Sequence, residues 1–346
     1  MKPRRMLLLL PALLVLIPAL KAAFSPRHTE ISRTDFLLNT FVTITLYDSQ
    51  DEAILDSCME LVRSYENKFS KTIESSEIYR LNHRAPGETV FVLSDDTAEL
   101  IRTGLSYSGR SGGAYDLTIE PLSTLWNFTG GAKEVPPAQA VAEAAARVDF
   151  RQIRLEGNTL TFLSPDVTLD LGSIAKGYIA DRVKEYLVSE GVASAIINLG
   201  GNVLCVGQRP DNEAFRIGLQ KPFEDRNELI ARLRIRDQSV VSSGVYERFF
   251  TVDGTNYHHL LNPETGYPYD NGLIAVTIVS PHSVDGDALS TACFSMGLEK
   301  GLAFLASMDG IYGYFITEDY EIHYSDGAEA LLDPDPNGSD TGQSGA

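Results

Sequence analysis

The chain has 346 residues, 43% hydrophobic and 22% charged, which is long enough for one large domain or two modest ones with proper cores. These proportions exclude a disordered polypeptide. A formal net charge of −18 argues against nucleic acid as the main partner, because phosphate recognition needs a basic face. Adhesion to anionic lipid through a polybasic patch fits equally poorly.

Residues 1–24 differ from the rest. Lys2, Arg4 and Arg5 precede the uncharged run Met6–Leu20, "MLLLLPALLVLIPAL". A basic start followed by a short apolar core marks an export signal, and the run is shorter than the roughly 20 residues that span a bilayer comfortably. Lys21 stands where a cleavage site wants a small residue, and no Cys follows the run to accept a lipid. The expectation is a signal peptide or N-terminal membrane anchor. The protein is then exported to the outer face of the cytoplasmic membrane, anchored or released, in a periplasmic or extracellular setting.

After this segment, 41–47 alternates and reads as a strand, and 51–69 carries apolar residues at helical spacing. A second helix over 97–112 stops at Gly112-Gly113. Residues 148–172 read as strand, turn and strand, with Gly157-Asn158 supplying the turn. A helix follows over 174–191, then a strand pair or bulged strand over 194–207. "RIGLQ", "LIARLRI" and "SVVSSG" continue the β-rich stretch to about 244. Residues 273–280 form a strand feeding a helix that opens with "SVDGDALSTACFSMG", and 311–325 close with two strands around a Glu-Asp turn. Helices and strands mix without βαβα alternation, which predicts an α+β fold with largely antiparallel, mixed sheets and flanking helices. No repeat or composition shift divides 28–330, so it reads as one domain. The acidic tail 331–346, rich in Pro, Gly and Ser, is expected to be disordered. Cys58, Cys205 and Cys293 are widely spaced in apolar contexts and read as buried hydrophobes.

Four segments are denser in glycine and ionisable residues than a core requires. In "GRSGGAYDLTIEPL" a glycine-rich turn delivers Ala114, Tyr115 and Asp116, although a turn-forming role for Asp116 explains it equally. In "LDLGSIAKGYIADRV" a strand ends at Asp170 and a helix begins near Ile174; its N–H groups, with Lys176 beside them, suit a phosphate. The spacing is not that of a Walker motif. In "NYHHLLNPETGYP" two adjacent histidines would point to opposite sides of a strand, one toward a ligand and one structural. In the last segment, Asp287 and Thr291 are four residues apart, so they share a helix face, and their hard oxygens suit Mg²⁺. Asp285 is expected to be the N-cap of that helix. A phosphate corner and a Mg²⁺ corner together imply a phosphate or pyrophosphate substrate.

"DLGSIAKGYIADRV", "INLGGNV", "SSGVYERFF", "YHHLLNPETGYP" and "DALSTACFSMG", in this order, resemble the ApbE family of FAD:protein FMN transferases. "LLNTFVTITLY", "SSEIYRLN" and "GGAYDLTIEPLSTLWNF" extend the resemblance over about residues 35–320. It implies a bilobed α+β domain related to the T-fold, with FAD in a cleft between the lobes. Mg²⁺ would be held by the backbone carbonyl of Ala175 and the side chains of Asp287 and Thr291, the latter two being catalytic through the ion. The flavin nucleotide would contact Leu38, Ala114–Asp116, Lys176, Ile179 and His259, with Asp181 one turn further into the same helix.

The implied reaction is attack by a Thr hydroxyl of a partner protein on the FAD pyrophosphate. FMN becomes phosphoester-linked to that Thr and AMP leaves, with Mg²⁺ offsetting the developing charge. The implied partner is an acceptor flavoprotein subunit of a membrane redox complex. The chain lacks the family's Ser/Thr-Gly-Ala-Thr acceptor pattern and so reads as the modifier. Two positions depart from the family pattern: Leu38-Asn39-Thr40 replaces Met-Gly-Thr, and Thr72 falls where a flavin-stacking Tyr is common. Losing that ring removes on the order of 1 kcal/mol of stacking, which brings in an alternative, a Mg²⁺-dependent FAD pyrophosphatase giving FMN and AMP. A non-catalytic exported FAD-binding protein is the third reading.

Overall fold

The computed structural model describes residues 29–130, 133–225 and 228–334. In chain order its strands are β1 (Ile31–Leu37), β2 (Thr40–Leu46), β3 (Val90–Val92), β4 (Ile153–Glu156), β5 (Thr159–Phe162), β6 (Ser194–Leu199), β7 (Asn202–Gly207), β8 (Phe215–Gln220), β9 (Leu229–Ile235), β10 (Ser239–Gly244), β11 (Phe249–Val252), β12 (Thr255–His258), β13 (Leu273–Ser280), β14 (Tyr312–Thr317) and β15 (Ile322–Tyr324). The helices are α1 (Glu52–Phe69), α2 (Glu77–Asn82), α3 (Asp95–Arg110), α4 (Glu120–Trp126), α5 (Ala138–Ala145), α6 (Ala175–Ser189), α7 (Ser283–Met296) and α8 (Leu298–Leu305).

One eight-stranded sheet runs in the order β1-β2-β6-β7-β10-β13-β14-β15, and smaller sheets are β3-β5-β4, β8-β9 and β11-β12. Every strand pairing among the described residues is antiparallel, as the mixed order of elements predicts. β13, "LIAVTIVS", is buried at all eight positions, so its unbroken apolar run reflects cover on both faces. α1 buries Ile54, Leu55, Cys58, Met59, Val62, Tyr65 and Phe69, a single stripe at helical spacing, and Asp51 caps it by accepting from the Ala53 N–H.

The β1–β2 turn is Leu38-Asn39, both at φ 56°. Paired left-handed residues form the two-residue hairpin turn whose twist matches the strands. Asn tolerates that conformation, whereas for Leu it costs roughly 1–2 kcal/mol. The Leu38 N–H donates to Glu66 Oε1 of α1 at 2.8 Å, which ties the strained tip down.

The strands and helices read from sequence form within about two residues of their expected ends, except over 148–172: the hairpin there is confined to Ile153–Glu156 and Thr159–Phe162, and the stretch that carries Asp170 is not a strand. The sequence reading did not assign β1, β3, β11 and β12 or the short helices α2, α4, α5 and α8. Each is brief, and all are stabilised by packing onto neighbours more than by a long periodic pattern. The three cysteines are free and buried, as their contexts suggested, and burial pushes the Cys58 and Cys293 thiols up to about 12.

Among the described residues no helix is long and apolar enough to cross a membrane. The export segment 1–24 lies outside the described residues, as does the tail beyond 334. The first part of that tail is described: Leu332 bridges to Leu233, and the Asp333 N–H donates to Arg232 O at 2.8 Å.

Candidate active site

α6 and α7 pack side by side, with α7 also lying on β10 and β13. Their contact is close because Gly177 lacks a side chain: a Cβ there would sit 2.2 Å from Ser283 O. This brings the start of α6 against the first turns of α7 and delivers the two sequence-predicted segments to one corner.

Asp287 is 5% exposed, and its Oδ2 accepts from the Gly177 N–H at 2.9 Å. Among the described residues no donor reaches its Oδ1. Thr291 lies one turn on, with Oγ1 3.2 Å from Ser243 Oγ of β10, which in turn lies 2.9 Å from Ser290 Oγ. A half-satisfied carboxylate and a hydroxyl one helical turn apart offer hard oxygen atoms, the donor chemistry that suits a hard cation. No cluster of three His, Cys, Asp or Glu exists among the described residues, so a nitrogen- or sulfur-rich metal centre is not built there.

The helix start offers fewer free donors than the sequence suggested. The Ala175 N–H donates to Leu171 O, the Gly177 N–H to Asp287 and the Tyr178 N–H to Ile174 O, leaving the Lys176 N–H without an acceptor among the described residues. The Lys176 ammonium lies within electrostatic reach of His259 and of Glu247, on the turn after β10, and Glu247 also faces Arg248 and Asp287. Glu247 and Arg248 belong to the quoted "SSGVYERFF" stretch, but the sequence analysis gave them no role; their place beside Lys176 is a product of the fold.

The two histidines differ in their partners. His258 Nε2 pairs with Tyr269 O at 2.9 Å, and its Nδ1 accepts from the Leu260 N–H, a structural arrangement. His259 Nδ1 is buried with no partner among the described residues. Burial, together with the charges of Arg248 and Lys176, holds the His259 imidazole down to about 3, so it is neutral at neutral pH. A histidine whose folded value is lowered contributes stability that is present above its ordinary value, about 6.5, and is lost as pH falls toward 3. Between pH 7 and pH 4 the His259 contribution should therefore fall, and in urea titrations His259→Gln should lose less stability over that range than the unchanged chain. An unchanged slope in the variant would remove His259 as its cause.

The remaining predicted residues are placed as follows. Tyr115 is buried, with its hydroxyl beside Ser173 and within electrostatic reach of Asp287. Asp116 accepts from the Thr118 N–H and hydroxyl through Oδ1 and from the Phe150 N–H through Oδ2, which is the turn-forming alternative. Burial nonetheless raises its carboxyl above the usual range. Ala114 O accepts from the Tyr269 hydroxyl at 3.3 Å. Leu38 is fixed to α1 at the hairpin tip.

Three expectations are corrected. Ile179 is 0% exposed in the main core and offers no surface to a ligand. Asp181 has both oxygens engaged, by the N–H groups of Ser283 and Val284, and burial raises its carboxyl to about 6. It therefore caps α7, and the local cap expected from Asp285 is not used. The N-cap position is His282, and Asp285 sits inside the first turn, where it accepts from the Tyr107 hydroxyl at 2.5 Å.

Beneath the corner, Asp170 is bonded to Lys71 Nζ at 2.9 Å and Ser123 Oγ at 2.6 Å, and its Oδ1 accepts from the Gly172 N–H. Burial acts to raise its carboxyl, but the Lys71 charge and these hydrogen bonds prevail and hold it below the usual range. Lys71→Met leaves a mostly buried carboxylate unpaired and should cost about 2–3 kcal/mol of stability, measured by denaturant unfolding at pH 7. The loss should shrink on acidification, because a depressed carboxyl stabilises only above its unfolded value.

The ApbE family profile matches residues 38–315. An FAD:protein FMN transferase of Klebsiella pneumoniae strain 342 is 39% identical over 83% of this chain and 89% of its own length. One of Treponema pallidum strain Nichols is 32% identical over 87% and 88%. In structure, the ApbE protein of Thermotoga maritima MSB8 superposes with a TM-score of 0.80 at 30% identity, covering 88% of this chain and 99% of that one. The flavin transferase ApbE of Vibrio cholerae gives a TM-score of 0.79 at 25% identity over 88% and 99%. With two-thirds or more of both partners covered in each comparison, the chain belongs to the ApbE family.

Proposed function

We propose that this chain is a Mg²⁺-dependent FAD:protein FMN transferase that links FMN to a threonine hydroxyl of a partner protein and releases AMP. The observation that carries the reading is the Asp287–Thr291 face beside the start of α6, within a chain whose relatives are named for this transfer. Asp287, Thr291 and the Ala175 carbonyl would hold the ion, whose chemistry is to offset charge on the pyrophosphate oxygens. Asp287 keeps its ion-facing oxygen available because Gly177 anchors the other one. Lys176 places a positive charge and an open N–H where an anionic substrate group would lie. Neutral His259 offers a buried hydrogen-bonding nitrogen without adding charge.

The acceptor supplies the nucleophile, an arrangement that suits the absence of the family's acceptor pattern from this chain. The basic and apolar start supports export, so the acceptor would be a flavoprotein subunit of a membrane redox complex on the outer face of the cytoplasmic membrane. Thr72 supports the hydrolytic alternative in one respect: its hydroxyl is 3.0 Å from Ser70 Oγ, and it brings no ring to stack on a flavin.

The purified chain mixed with FAD, Mg²⁺ and a peptide carrying an acceptor threonine decides between these. Transferase activity gives a peptide heavier by one FMN phosphoester, matched by AMP. AMP with free FMN and an unmodified peptide establishes the pyrophosphatase, and no AMP at all leaves a flavin binder.

A further inference from the structure

The N-termini of α6 and α7 cap each other by exchanging carboxylates. The Gly177 N–H in α6 donates to Asp287 Oδ2 in α7 at 2.9 Å. In return, the Ser283 and Val284 N–H groups that open α7 donate to Asp181 Oδ1 and Oδ2 in α6, at 2.8 and 2.9 Å. In each helix the donor and the carboxylate are four residues apart, Gly177 with Asp181 and Ser283 with Asp287, so each pair lies on one face. The exchange is a reciprocal one across the Gly177–Ser283 contact. The two carboxylates differ in what remains open: Asp181 has both oxygens engaged, whereas Asp287 keeps Oδ1 free of donors among the described residues.

We propose that Asp181 is a positioning residue for the cation site. By capping α7 from within α6, it sets the spacing between Asp287 and Thr291 on one helix and Ala175 and Lys176 on the other. The inference rests on the cation reading given under Proposed function. Other bonds hold the same turn of α7. Ser283 Oγ pairs with Asn202 at 2.7 Å and Ser239 at 3.0 Å, and Asp285 with Tyr107. These tie α7 to β7, β10 and α3. Asp181 ties it to α6, and a charged acceptor at a helix N-terminus makes a strong tie.

The test titrates Mn²⁺, a paramagnetic stand-in for Mg²⁺, into the full chain in detergent without FAD, with free Mn²⁺ read by electron paramagnetic resonance. Asp181→Asn keeps the side-chain shape and one acceptor oxygen. It should bind Mn²⁺ about 10–100-fold more weakly, the usual effect of removing a group that orients a metal ligand. Val62→Ala, a cavity in α1 away from the corner, should lower the thermal midpoint yet leave Mn²⁺ affinity unchanged, because Val62 is a fully buried core residue. Wild-type affinity in a destabilised Asp181→Asn protein overturns the positioning role while leaving the metal site intact. Absence of Mn²⁺ binding by the unchanged chain overturns the cation reading, and this inference with it. Should Asp181→Asn fail to fold, Gly177→Ala is titrated in its place. It keeps every charge and pushes the helices apart by a methyl group; unchanged affinity there overturns the proposal equally.

Discussion

Asp287→Ala is expected to abolish both AMP release from FAD and modification of an acceptor threonine, with a fall of at least about 10³-fold. A bound cation contributes several kcal/mol to charge stabilisation, and each 1.36 kcal/mol is tenfold in rate. The substitution also strands the buried Gly177 N–H, which should cost about 1–3 kcal/mol of stability. Asp287→Asn separates the two effects, because an amide oxygen still accepts from Gly177 while the negative charge is gone. Both variants should keep the wild-type circular dichroism spectrum and lose turnover. Full activity in either one removes Asp287 from the metal assignment.

Trp126→Ala is expected to produce the largest loss of stability, about 3–5 kcal/mol, the range for deleting a large buried aromatic. Trp126 is 3% exposed. It packs against Phe128, Phe250, Tyr257 and Tyr267, with centroids 5.5–6.2 Å away. Its indole N–H also donates to Gly266 O at 2.8 Å. This cluster joins α4 to the β11–β12 hairpin that runs into His259, so catalysis should weaken along with the fold. Trp126→Phe, which keeps a ring and loses only the N–H bond, should cost about 1 kcal/mol plus the smaller packing loss. Urea unfolding followed by circular dichroism measures both, since the chain has a single Trp and fluorescence would vanish with it. Equal stabilities for the alanine variant and the unchanged protein would show that the cluster does not hold the hairpin.

Much of the site is legible in the residues because its chemistry is local. Asp287 and Thr291 are one helical turn apart, so their shared face follows from spacing alone, and the structure places them where α6 begins. The two adjacent histidines do part: His258, the last residue of β12, turns to Tyr269 O, while His259, just beyond the strand, is left with an unpartnered nitrogen among the described residues. Asp181 and Asp285 were misread for one common reason. A sequence suggests caps from the nearest residue of the right type, yet the N–H groups of α7 are met through space by a carboxylate 102 residues away in the chain. Ile179 fails similarly: its neighbours Lys176 and Gly177 face the corner, but the helix turns it into the core. Glu247 and Arg248 carried no spacing cue, and only the turn after β10 brings them to Lys176.

Periodicity, turn chemistry and ordered motifs are properties of neighbouring residues, so the α+β class, the order of the long elements, the spacing of the oxygen pair on α7 and the family were all legible in the residues. Which donors remain free, which carboxylate caps which helix and which charges meet follow from packing between distant parts of the chain. Those depend on two helices approaching closely at Gly177, and on burial that brings residues distant in the chain into a low-dielectric corner where each polar group must find a partner.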